Sequence, residues 1–82
     1  MKANEVNAAF MSPKSALIDR KLFVSNLGDL LSQTRERIVS AHLDDNETVH
    51  VVEKGGQELK VNVNMDSYFA IIKDVVKYVD QW

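Results

Sequence analysis

The chain has no cysteine, one proline, three glycines and one tryptophan among its 82 residues. Without cysteine there is neither a disulfide staple nor a thiolate metal site. No apolar run approaches the roughly 20 residues that a membrane span needs, so a membrane partner is not expected. The opening Met1-Lys2-Ala3-Asn4-Glu5 carries a single lysine and no following apolar stretch, unlike a secretory signal, and the expected location is the cytoplasm. Catalytic patterns are missing as well. His42 and His50 belong to no metal-ligand spacing, the serines sit in no nucleophile elbow, and Gly55-Gly56 is followed by no Lys-Ser or Lys-Thr pair that would make a phosphate loop. No catalytic residue, metal ligand or cofactor is assigned, and an enzyme is not expected.

Hydrophobic residues make up 45% of the chain and charged residues 27%, an ordinary globular balance that argues against wholesale disorder. This length allows one domain, and such a chain buries only about 60% of the surface its unfolded form exposes. With no staple available, self-association is the natural remedy, and a homodimer is the default expectation. Net charge is −2, unevenly placed: residues 1–41 hold six bases and four acids, residues 42–82 four bases and eight acids.

Periodicity divides the chain into an arm and one α+β domain. Residues 1–12 show no clear repeat and read as a flexible N-terminal arm; residues 13–82 read as the single domain. Ser12-Pro13 suits a helix start, with Leu17, Ile18 and Leu22 at helical spacing after it. Lys21 to Ser25 suits a short strand equally, and periodicity does not decide between the two. A clearer helix follows, with Asn26 as its N-cap and Asp29 three residues on. Its apolar stripe is Leu27, Leu30, Leu31, Thr34, Ile38 and Ala41, and its end is expected near Leu43. Residues 47–63 read as a β-hairpin around the glycine pair. Burial favours a three-residue loop, Gly55-Gly56-Gln57, which places Lys54 opposite Glu58 and groups Val49 and Val51 with Val61 and Val63 on one face.

The last element is a helix over Asp66–Gln81, capped by Asn64 or Asp66 and packed on the sheet. Phe69, Ile71, Ile72, Val75, Val76 and Val79 give it a stripe wider than the roughly 100° that one sheet face requires. Tyr68, Phe69, Ile72, Val76, Val79 and Trp82 are therefore the expected partner or dimer interface. Arg20 and Lys21 stand just before the helix that opens at Asn26, whose N-terminus attracts phosphate.

The order of elements and several short phrases resemble the Phd/YefM (prevent-host-death) antitoxin family over residues 22–79. Asn26-Leu27-Gly28-Asp29-Leu30-Leu31 is similar to that family's helix opening. Val49 to Gly56 and Leu59 to Val63 are similar to its hairpin, and Met65-Asp66-Ser67-Tyr68 to the start of its following helix. The family carries an arginine just before the helix opening, where Val24 and Ser25 stand here. The resemblance implies a short strand before the helix, dimerisation, operator DNA as a double-stranded partner, and a toxin protein neutralised by the C-terminal part. It places phosphate contacts on Arg20, Lys21, Asn26 and Arg35. The rival expectation is a small dimeric structural or adaptor protein, of phage or mobile-element type, that binds no nucleic acid.

Overall fold

In the computed structural model, residues 13–82 are described; the arm expected over 1–12 and the cap expected at Ser12 lie outside them. The elements are α1 (Pro13–Thr34), β1 (Ile38–Leu43), β2 (Thr48–Glu53), β3 (Glu58–Asn62) and α2 (Tyr68–Gln81). The strands form one antiparallel sheet in the order β1-β2-β3. The expected α+β domain, with a hairpin and a C-terminal helix packed on the sheet, is what the chain forms, enlarged by a third strand.

Residues 17–25 are helix, not strand. Val24, Leu27 and Leu31 follow one another at steps of three and four and are buried, with Leu17 packed against the same cluster. That stripe overrides the extended preference of Phe23 and Val24. Asn26 consequently lies in mid-helix, exposed, and caps nothing. Gly28 is the point of closest approach to the sheet: a Cβ there would lie 2.4 Å from the Ala41 backbone nitrogen.

The helix expected to reach Leu43 stops at Thr34, and Ile38–Leu43 is a strand. A β-bulge explains the misreading. Ile38 pairs with Glu53 and Ser40 with Val52, so Val39 is an extra residue that reverses the in–out alternation. Ile38, Ala41 and Leu43 therefore all face the core. The three-residue step from Ile38 to Ala41 imitates a helical period that the backbone does not have.

In the β2–β3 hairpin the valines group as expected, with Val49, Val51, Val61 and Val63 buried together. The register is two positions away from the expected one: Val49 faces Val61, and the Glu53 N–H donates to the Gln57 carbonyl at 3.0 Å. The loop is still three residues long, but it is Lys54-Gly55-Gly56. Its last position takes positive φ, 89° at Gly56, and the expected loop would have forced Gln57 into that conformation.

Ser67, not Asn64 or Asp66, caps α2, its side chain accepting from the Ala70 N–H. Ile71, Val75 and Val79 form the buried stripe of α2, and with α1 they cover one face of the sheet in a single core. Among the described residues, no helix covers the other face. No helix among the described residues is long and apolar enough to cross a membrane.

Candidate protein-binding surface

Two arginine clamps tie the helix layer to the segments around it. Arg20 on α1 forms an ion pair with Glu47 in the β1–β2 turn and donates to the carbonyls of Asp66, at 2.5 Å, and Val63, at 2.8 Å. Arg35, just past α1, grips Asp80 of α2 through two nitrogens at 2.6 and 2.9 Å. Arg20 thus binds the segment leading into α2, and Arg35, just past the end of α1, binds the last turn of α2. The start of α2 therefore lies beside the middle of α1, and its end beside the chain that leaves α1.

Between the clamps runs a seam on the side away from the sheet. Phe23, Asn26 and Leu30 follow one flank of α1 at steps of three and four, and Phe69, Ile72 and Val76 follow the corresponding flank of α2, which ends at Asp80. Tyr68 ties the two rows together, its ring 4.6 Å from that of Phe23 and tilted 45° to it. Below this contact a cleft of about 320 Å³ opens among Ala16, Asp19, Arg20, Ser67 and Tyr68. The seam leaves large apolar side chains in water: Phe69 is 77% exposed, Leu30 56% and Ile72 39%. Ile18 and Leu22 extend the exposed apolar surface farther round α1. Val39, Met65 and Tyr78 are exposed as well; scattered exposed apolar residues are ordinary, and it is the grouping of Leu30, Tyr68, Phe69 and Ile72 on the helix flanks that makes this a candidate contact surface.

Of the expected interface residues, Tyr68, Phe69, Ile72 and Val76 lie on this seam. Val79 does not: it is 2% exposed and belongs to the core. Trp82 packs against the core edge beneath the Arg37 guanidinium, which sits 4.9 Å from its ring centroid while donating to the Val79 and Trp82 carbonyls. Both hold α2 in place.

The residues expected to meet phosphate are scattered and mostly occupied. Arg20 is largely enclosed, with 14% of its side chain exposed, and Lys21 is paired with Asp45. The hydrogen bonds that Arg35 donates to Asp80 raise the Arg35 pKa above its ordinary value and lower that of Asp80. Asn26 stands alone in mid-helix, far from any helix N-terminus. Binding phosphate would require these bases to leave carboxylates that already neutralise them.

Asp44 and Asp45, which read from the sequence as solvated charges at a helix end, instead belong to the acidic turn between β1 and β2. Asp44 binds His50 six residues on, while Asp45 binds Lys21 and Glu47 binds Arg20, both distant in sequence. The available signal was Asp44-Asp45-Asn46, a turn-forming phrase, but its partners are unreadable until β1 is known to be a strand. Comparison with known protein families, with curated proteins and with solved structures yields no match.

Proposed function

We propose that this chain is a non-enzymatic protein-binding module that docks through the seam between α1 and α2, and that a second copy of the chain is its first occupant. The observation that carries this reading is the exposure of Phe69, Ile72 and Leu30 on the flanks of α1 and α2 beside the Phe23–Tyr68 contact. In a two-fold arrangement the same seam meets itself, so each apolar side chain is covered on both protomers. That supplies the burial a short chain without staples otherwise lacks.

This favours the dimeric adaptor reading over operator binding. Arg20, Lys21 and Arg35, which the antitoxin resemblance assigns to phosphate, are engaged with Glu47, Asp45 and Asp80. Of the antitoxin-like expectation, the protein-binding half keeps a suitable surface. Phe69→Lys and Ile72→Lys test the proposal: each side chain is exposed, so the fold survives while self-association is lost. Retained association in both variants would refute the seam as the docking site. Duplex DNA should show no shift at about 50 mM salt, where phosphate contacts are strongest; a salt-dependent shift would restore the operator-binding reading.

A further inference from the structure

The sheet face opposite the helices carries a histidine held on both sides. His50, in the middle of β2, places Nε2 2.7 Å from Asp44 Oδ2 and Nδ1 2.5 Å from Glu58 Oε1. Asp44 reaches it from the β1–β2 turn and Glu58 from the first residue of β3, so one ring spans three consecutive parts of the chain. Ionised carboxylates only accept hydrogen bonds, and a neutral imidazole has one N–H to give. Serving both acceptors requires the imidazolium. Asp44 is fixed in this role by its other oxygen, which accepts the N–H groups of Asn46 at 2.9 Å and Thr48 at 3.0 Å. The other titratable groups facing the ring are His42 on β1, stacked at 4.8 Å and 6°, and Lys60, its cross-strand partner on β3. Neither helix packs on this face.

We infer that His50 is a proton-operated clasp: charged, it ties the β1–β2 turn and the start of β3 onto β2, and neutral, it keeps Asp44 and releases Glu58. Asp44 is retained because its carboxylate is already positioned by two backbone N–H groups. Glu58 sits on an edge strand with no other hydrogen bond to its side chain among the described residues. Release therefore loosens the start of β3 and the neighbouring Lys54–Gly56 loop. The turn keeps its grip on α1 through Asp45 and Glu47.

The electrostatics agree in direction. Asp44 first, then Glu58, raise the His50 pKa above 6.5, and His50 lowers both carboxylates in return. A group whose folded pKa is raised adds stability that is complete below its unfolded value and lost as pH rises through the folded one. While both carboxylates are ionised, the clasp thus opens as pH rises through a His50 midpoint that lies above 6.5.

A ¹⁵N NMR titration of the unmodified chain tests this without relying on any variant. The expected result is a His50 midpoint above 6.5 with both ring nitrogens protonated below it. Above the midpoint the ring should carry its proton on Nε2. Exchange of the Glu53 amide should then accelerate, while the Asn46 and Thr48 amides stay protected. Glu58→Gln should shift the midpoint down. A midpoint at or below 6.5, a neutral ring protonated on Nδ1, or an unmoved midpoint in Glu58→Gln would each overturn the clasp.

Discussion

Gly28→Ala sets two effects of opposite sign against each other. In an isolated helix, alanine is favoured over glycine by about 1 kcal/mol, because glycine loses more backbone entropy and leaves more of its backbone to water. Gly28 lies well inside α1, so propensity alone forecasts a more stable protein. The sheet forecasts the reverse. A Cβ at residue 28 would stand 2.4 Å from the Ala41 nitrogen, 2.9 Å from its Cβ and 3.0 Å from its Cα. Two of those atoms are backbone of β1, which is paired with β2 through Ala41 and Val51 and cannot swing aside as a side chain can. The helix would have to lift from the sheet at its tightest point, parting Val24, Leu27 and Leu31 from their neighbours. Overpacking costs about 1–3 kcal/mol, and a 2.4 Å approach to strand backbone puts this case in the upper part of that range, about 2–3 kcal/mol, which outweighs the propensity gain. The net loss should be about 1–2 kcal/mol, which lowers the melting temperature of a chain this size by roughly 4–16 °C. Urea titration followed by far-UV circular dichroism measures it, with Ser25→Ala as the control at an exposed position of the same helix. The control should be neutral or gain about 0.5 kcal/mol from propensity alone. A Gly28→Ala midpoint equal to or above that of the parent would refute the close packing of α1 on β1.

Other outcomes follow from the clamps and turns. Arg20→Met should destabilise by about 2–3 kcal/mol in the same assay, since it strands Glu47 and two carbonyls, and Arg20→Lys should not restore the loss because one ammonium does not reproduce the fork. Gly56→Ala should cost about 1–2 kcal/mol from its positive φ alone, as nothing else lies near its Cβ position. Gly55→Ala meets only the flexible end of Glu53 and should stay within about 0.5 kcal/mol of the parent. Asp80, held down by Arg35, contributes stability that is present above the ordinary carboxylate pKa and lost as pH falls through its lowered one. Its NMR titration should move upward in Arg35→Ala.

Much of the architecture is readable from local pattern because local pattern causes it. Ile71, Val75 and Val79 recur every fourth residue and bury one stripe of α2. The valines of β2 and β3 alternate, and a slip of two positions leaves the same faces buried, which is why their grouping survived a misplaced loop. Where the reading failed, a distant partner decided the outcome. Ile38 and Ala41 look helical because a bulge at Val39 spaces them three apart, and only pairing with Glu53 and Val52 exposes the difference. Ser67 is one of several adjacent capping candidates, and the positive φ of 68° at Met65 turns the chain so that Ser67 is the one in place. Arg20 looks like a free base just ahead of a helix. Its role depends on Glu47, Val63 and Asp66, which lie 27 to 46 residues away. The His50 contacts are only six and eight residues away in sequence but depend on the β1–β2 turn and the hairpin register, whereas the exposure of Tyr68, Phe69 and Ile72 was legible because a stripe too wide for one sheet face must leave some of its members outside.

Sedimentation equilibrium of the unmodified chain over a range of concentrations bears most directly on the seam. A mass that rises to twice that of the single chain, and stays at the single-chain value in Phe69→Lys, is the expected result. A stable protein that remains at the single-chain mass at every concentration, with Phe69, Ile72 and Leu30 still exposed, would contradict self-association through the seam.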